Sequence, residues 1–245
     1  MDVPDRSEKE SGFAAALMAI FRDMRSAITA DAAGADYQRF QERLQSTLED
    51  EIAAIYLLIM MRMTEWAESS PYITEPLPTG FATPAANYAS DRAQTLAAEI
   101  TSRLESEVAQ IKRQFAPIED IARQLADHLD TALAEHRAQR IAVTEITRAT
   151  SFAEDEVRQR VERRAPVRLQ FIWYTQDDER VCPVCGPLHM KGEIAWALRF
   201  PSGPPAHPNC RCYKEQSLVP AAVRIDTSDR TREGRRPSQF VGAGR

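Results

Sequence analysis

All four cysteines of the chain lie between Trp173 and Tyr213. Cys182 and Cys185 form a Cys-x2-Cys knuckle. His207, Cys210 and Cys212 follow, after a proline-rich excursion, as His-x2-Cys-x-Cys. Thiolate sulfur and imidazole nitrogen are donors that zinc favours, four to a tetrahedral site, and five candidates converge here. The Cys-Pro-Val-Cys-Gly turn aims two sulfurs and several backbone amides at one point, so Cys182 and Cys185 are the most specific part of the pattern. Two completions are open: His207 with Cys210 gives three thiolates and one imidazole, and Cys210 with Cys212 gives four thiolates. On an extended strand an i, i+2 pair stands about two residue rises apart, wider than two ligands of one ion prefer. The preferred set is therefore Cys182, Cys185, His207 and Cys210, with Cys212 in the core or as a substitute ligand. His189 is a weaker competitor.

Other chemistry fits these residues less well. A redox Cys-x2-Cys pair sits at a helix start after a strand, a setting that Pro187 and the long proline-rich loop oppose. Two disulfides are the oxidised alternative. A hydrolytic zinc needs an open coordination position and a nearby base, for which Asp177, Asp178, Glu179 and Glu145 are the candidates. A deaminase arrangement would place His-x-Glu ahead of the cysteine pair, and here the pair comes first. The acids read as turn formers and surface charge.

The cysteines staple nothing outside this one segment, unlike the spread bridges of a secreted framework, which points to reduced thiols and a metal. The chain has 245 residues, enough for one large domain or two. With 43% hydrophobic and 27% charged residues it has the composition of a soluble protein. The formal net charge of -5 is uneven: residues 1–165 hold 19 Lys and Arg against 28 Asp and Glu, and residues 166–245 hold 12 against 8. An acidic body with a basic end suggests two modules with different partners. The N-terminus opens acidic and polar, without signal-peptide character. The longest apolar run, Ile52 to Met61, is about half the ~20 residues a membrane span needs. These features lead us to expect a soluble chain, intracellular when made.

The elements that position the cysteines are mostly helical. Phe13, Leu17, Ile20, Met24 and Ile28 recur at three- and four-residue steps and predict a helix over 8–30, with Gly34 as the break. A longer helix from about Asp36 to Glu68 carries Tyr37, Phe40, Leu44, Leu48, Ile52, Ile55, Ile59, Met63 and Trp66, and would extend on the order of 50 Å. Proline and glycine between 70 and 90 predict a loop or linker. Ser90 is the expected cap of a third helix over 91–115, with Leu96, Ile100, Leu104, Ile111 and Phe115 inward, stopped or kinked at Pro117. Ile118, Ile121, Leu125, Leu129 and Leu133 line a fourth, on which His128 and His136 read as solvent-facing or packing residues. A fifth runs from Gln139 to Arg163, with Ser151 and Glu154 as a possible restart.

Then the period changes. Val167, Leu169, Phe171 and Trp173 alternate with polar residues and predict a strand. Ile194, Trp196, Leu198 and Phe200 alternate likewise, with a short helix as the alternative, and Arg211 to Leu218 reads as a last strand. After Pro220 the chain is polar, with Arg224, Arg230, Arg232, Arg235, Arg236 and Arg245, and is expected to be mobile or to order on a partner.

With these residues in view, the C-terminal third resembles the Mu-F-like family of phage head morphogenesis, or minor head, proteins. Three blocks carry the likeness: Arg140-Ile-Ala-Val-Thr-Glu-Ile-Thr-Arg; Trp173 to Asp178 with Arg180-Val-Cys-Pro-Val-Cys, Leu188 and Gly192; and Pro204-Pro-Ala-His-Pro-Asn-Cys-Arg-Cys. Together they cover roughly residues 138–215. The family carries the Cys-x-Cys pair more widely than the knuckle, so zinc is an inference from the spacing in this chain. The resemblance implies a virion protein in few copies, associated with portal and inner capsid, acting in prohead assembly and DNA packaging or delivery, without a catalytic step.

The combined expectation is an α+β fold, mostly α: a long-helix body over 1–137 with a proline-rich linker at about 70–90, a small loop-rich zinc-stapled module over 138–218, and a basic tail over 219–245. The expected metal is structural Zn2+, held from Cys182, Cys185, His207, Cys210 and Cys212. Expected partners are portal and capsid or scaffold proteins, with DNA through the tail as a further contact, no membrane span and no small-molecule substrate. Expected locations are the virion, inside the capsid near the portal, and the host cytoplasm during assembly. The competing classes are a zinc-dependent hydrolase or toxin-type effector and a nucleic-acid-binding module.

Overall fold

The amphipathic stripes close into five helices, followed by a small sheet. The computed structural model describes residues 3–30, 35–113, 118–176 and 181–221. Gly34, Phe115, Pro117 and the arginines after Pro220, named above as break, stripe, stop and tail residues, lie outside these residues. Helix α1 (Arg6–Ala30) buries Phe13, Leu17, Ile20, Phe21, Met24 and Ile28. Helix α2 (Tyr37–Glu68) starts where the Asp36 carboxylate accepts the Arg39 amide at 2.9 Å, satisfying one of the orphan donors of the first turn. Its stripe from Phe40 to Met63 is buried.

Helix α3 (Ala82–Arg113) corrects two expectations. It begins inside the stretch read as linker, and Ser90 is an interior residue, not a cap. Pro84 falls within the first turn, where an amide has no intrahelical partner to lose, so it starts the helix as readily as it would end one. Ala85, Ala89 and Ala93 then extend the buried stripe backwards from Leu96, and their small size lets α3 lie close along α2. The remaining loop is tied down. The Glu68 carboxylate accepts the Leu77 amide at 2.6 Å, and the Arg160 guanidinium donates to the Pro78 and Gly80 carbonyls while stacking over Phe81.

Helix α4 (Ile118–Ala132) buries Leu125 and Leu129, and its His128 meets Glu107 of α3 at 2.9 Å. His136 is exposed, at the start of α5 (Glu135–Arg164). Helix α5 packs against α1, α2 and the sheet. It does not restart at Ser151: the helix is continuous there, and Ser151 and Glu154 are both buried. Tertiary partners explain why a capping pair is absorbed. The Ser151 carbonyl accepts from Lys214 Nζ at 3.1 Å, and Glu154 lies 3.4 Å from the same ammonium.

Strand β1 (Val167–Tyr174) carries the expected alternation, with Val167, Leu169, Phe171 and Trp173 inward. It is the centre of an antiparallel sheet of order β2-β1-β3, with β2 (Lys191–Gly192) and β3 (Tyr213–Pro220) on its flanks. Residues Ile194 to Phe200 form no strand; the backbone winds in consecutive turns, Trp196 inward and Ile194 and Leu198 exposed. The architecture is therefore α+β, mostly α, with buried side chains forming a single cluster from α1 to Cys212. No described helix is long and apolar enough to cross a membrane.

Lys214 is the most demanding residue of this core. Its ammonium is fully buried beside Glu154 and Asp155 and over the Phe171 ring at 4.4 Å. Removing one partner of a buried pair strands the other charge. Lys214→Ala should cost about 3–5 kcal/mol in urea unfolding. Lys214→Met combined with Glu154→Leu should cost clearly less than Lys214→Ala.

Candidate metal centre

The knuckle is a tight turn closed by its own backbone. The Cys182 carbonyl accepts the amides of Cys185 and Gly186 at 3.1 and 3.0 Å, and the Cys185 amide lies 3.4 Å from the Cys182 sulfur. Both side chains are thereby aimed the same way, and Pro187 leads into a short 3-10 turn over 186–188.

The second half of the site rests on α5. Asn209 adopts a left-handed φ of 63, a conformation asparagine tolerates better than most residues. Its amide donates to Thr144 Oγ1 at 2.8 Å, and Thr147 Oγ1 donates to the Cys210 carbonyl at 2.7 Å. Arg6 of α1 donates to the same Thr147 oxygen at 2.6 Å. The loop is thus fixed to α5 by two buried hydroxyls, and Arg6 of α1 braces one of them. Sequence reasoning missed both threonines as site residues, although they lie in the block Arg140 to Arg148 and three positions apart, on one face of the helix.

All five candidate donors gather here. His207 Nε2 is 3.0 Å from the Cys182 sulfur and 3.2 Å from the Cys185 sulfur. His207 Nδ1 is 2.8 Å from the Pro208 carbonyl, so this nitrogen carries the proton and Nε2 presents its lone pair to the sulfurs, the tautomer a metal ligand needs. Cys185 and Cys210 sulfurs are 3.8 Å apart. Two triplets, Cys182/Cys185/His207 and Cys185/Cys210/Cys212, each have their donor atoms within 4.8 Å of one another, with Cys185 common to both.

Cys212 is the correction within the site. The i, i+2 spacing separates two ligands only on an extended strand, whereas β3 begins only at Tyr213 and the backbone before it is irregular. Cys212 therefore approaches Cys185 and Cys210 freely. The buried indole N–H of Trp173 has no ordinary hydrogen-bond partner, and it favours the ionised form of Cys212. His189 lies apart, with Nδ1 2.9 Å from Thr175 Oγ1. Glu145 accepts from Nε and Nη2 of Arg92, both at 2.8 Å, and from Arg148, and belongs to neither triplet. Asp177, Asp178 and Glu179 lie outside the described residues.

The electrostatics suit a cation. Hydrogen bonds from Cys185 and Cys212 hold the Cys210 thiol down to about 2, so one thiolate forms readily. Hydrogen bonding with Cys210 and Cys212, together with burial, pushes Cys185 up; at Cys212 a favourable bond from Cys185 is outweighed by the hydrogen bond with Cys210, burial and the Cys210 charge, and its thiol rises to about 12. Cys182 is shifted down: burial opposes ionisation, but the Cys185 and Val184 amides outweigh it. Burial lowers His207, yet the Pro208 carbonyl and the Cys210 and Cys182 sulfurs leave it raised above an ordinary imidazole. A divalent ion removes the conflict between the sulfurs, because each ionised thiol then gains a neighbour of opposite sign.

Dimensions agree. Zinc bonds of about 2.3 Å to sulfur put two tetrahedral sulfurs about 3.8 Å apart, and about 2.0 Å to nitrogen puts sulfur and nitrogen about 3.5 Å apart. The Cys185–Cys210 edge has this length, and the His207 edges are a few tenths of an ångström short. The cavity among these residues is ≈ 20 Å³, room for one ion or water.

Residues 102–214 match the family model for Phage Mu protein F like protein. The match begins within α3, earlier than the motif blocks suggested, and runs through α4, α5 and both halves of the cysteine site to the start of β3. No curated protein and no solved structure matches the chain.

Two measurements follow from this geometry. Protein purified under reducing conditions should carry about one zinc per chain; Cys185→Ser, which breaks both triplets, should lose it and melt at lower temperature, and a chelator should destabilise only the wild type. Thr147→Val removes the bond to the Cys210 carbonyl and the acceptor of Arg6, and should cost about 1–3 kcal/mol in denaturant unfolding while raising the zinc dissociation constant.

Proposed function

We propose, because residues 102–214 match the family model for Phage Mu protein F like protein, that the chain is a phage minor head component without catalytic activity. It associates with portal and inner capsid during prohead assembly and DNA packaging or delivery. The family match is the observation that carries this reading. In this account the helical body, residues 1–137, lies along other subunits, while residues 138–218 form a recognition module. Residues 219–245 are a basic tail that contributes solubility and a weak contact to DNA. The places of action are the particle interior near the portal and, during assembly, the host cytoplasm.

A structural Zn2+ shapes the module. Cys182, Cys185 and Cys210 hold it with His207 as the fourth ligand, and Cys212 is the replacement thiolate. When bound, the ion supplies charge balance and a cross-link between the two halves of the loop. The chain itself supplies the rest: the Thr144 and Thr147 hydroxyls hold the Asn209–Cys210 backbone, and the Pro208 carbonyl orients the imidazole.

The hydrolase reading is less well supported. Glu145, the described acid among its candidates, is tied up by Arg92 and Arg148. The nucleic-acid reading requires steep salt dependence and loss of binding on removal of the tail after Pro220.

Particles produced with a tagged chain provide the test. The tagged protein should co-sediment with proheads and remain in filled heads at a low copy number. Its absence from particles, with no co-sedimentation with portal or capsid protein, would falsify the assignment.

A further inference from the structure

Lys214 brings a nucleophile into a closed place beside two carboxyl groups. Its side chain and that of Glu154 are both 0% exposed, with Nζ 3.4 Å from Glu154 Oε2. The same nitrogen donates to Asp155 Oδ1 at 3.2 Å and to the Ser151 carbonyl at 3.1 Å. The Phe171 ring covers it at 4.4 Å to the centroid. Gly203, at a φ of 77, lies so close over the lysine stem that a Cβ there would stand 2.9 Å from Cδ. Helix α5 and strands β1 and β3 thus enclose one Lys–Glu–Asp cluster.

The two carboxyl groups differ in their surroundings. Asp155 Oδ1 also accepts from Arg158 Nη2 at 2.9 Å, and its side chain is 22% exposed. Arg158 is itself paired with Glu193 and stacked over Phe171. A guanidinium bonded to a carboxyl oxygen polarises the group and stabilises the oxyanion that forms when an amine adds to its carbon. Glu154, sealed from solvent and within reach of the lysine nitrogen, is placed to carry protons.

We propose that Lys214 and Asp155 condense to an isopeptide bond, with Glu154 as the proton carrier. A proton passes from the ammonium through Glu154 to the Asp155 carboxylate, leaving an amine and a carboxylic acid. The amine attacks Cγ: the Nζ–Cγ bond forms and the bond from Cγ to the hydroxyl oxygen breaks. The leaving hydroxyl takes a second nitrogen proton, again by way of Glu154, and departs as water through the exposed side of Asp155. Three ammonium hydrogens become one amide hydrogen and one water, Glu154 is restored, and no oxidant or cofactor is consumed. Groups held against one another in this way react as if at an effective concentration on the order of 10⁵ M or more. The product amide is neutral, so the bond removes charge that the core otherwise has to accommodate. It closes a covalent ring from α5 to β3 around β1, the knuckle and the cysteine loop. The inference needs neither the metal nor the head assignment.

Intact-mass spectrometry of the denatured full chain decides it, with peptide mapping to place the bond. The wild type should weigh one water less than its sequence requires. Trypsin should fail to cut after Lys214 and should yield a branched peptide that joins the segments around Asp155 and Lys214. Glu154→Gln should keep its full mass while its far-ultraviolet circular dichroism matches the wild type. Asp155→Asn should still link, releasing ammonia in place of water, and Asp155→Ala should not; these two report the chemistry however Glu154→Gln folds. A folded wild type that keeps its full sequence mass after prolonged incubation and is cut after Lys214 overturns the proposal and leaves an ordinary buried ion pair. A branch at Glu154 in place of Asp155, or a Glu154→Gln chain that links as fully as the wild type, overturns the roles assigned to the two acids.

Discussion

Sulfur crowded in a buried place needs a counter-charge. Cys185, Cys210 and Cys212 are all buried and mutually close, and the imidazole of His207 reaches both knuckle sulfurs. Left as thiols they donate weak hydrogen bonds to one another; once one ionises, the others resist. A dication would end that conflict and would join two segments otherwise linked by a long excursion with little regular structure. The two-residue strand β2 and the anchors Trp196 and Phe200 are slight by comparison. A small unit short of core gains most from such a link.

Helix α5 joins this site to the helical body. One stretch of it supplies Thr144 and Thr147 to the cysteine loop, and Glu145 to Arg92 of α3. Further along, Ser151, Glu154 and Asp155 receive Lys214 from β3. The sheet and the cysteine loop are therefore held to α5 through buried polar bonds, and buried polar groups of this kind fix register as well as stability. The Arg6–Thr147–Cys210 path extends the connection to the start of α1.

Much of this was legible in the sequence where one period or one residue type carries the information. The stripes of α1 and α2, the alternation of β1 and the clustering of the cysteines needed no tertiary knowledge. Elsewhere local grammar misled for physical reasons. Pro84 breaks a helix in its interior but not in its first turn, so α3 begins before Ser90. Ser151 and Glu154 look like a cap, yet Lys214, remote in sequence, holds them inside a continuous helix. The spacing of Cys210 and Cys212 excluded joint ligation only for an extended chain, and the strand starts one residue later. Thr144 and Thr147 are common helix residues; nothing local distinguishes a threonine that bonds a distant loop from one that bonds its own helix.

The central claim is that one ion is gripped from both sides of the excursion. Zinc K-edge X-ray absorption on the reduced, purified chain addresses it most directly. The account predicts one zinc with three or four sulfur neighbours at about 2.3 Å and at most one nitrogen at about 2.0 Å. A first shell of oxygen and nitrogen alone, or of only two sulfurs, would show that the knuckle and the Cys210–Cys212 loop do not share an ion, and would contradict it.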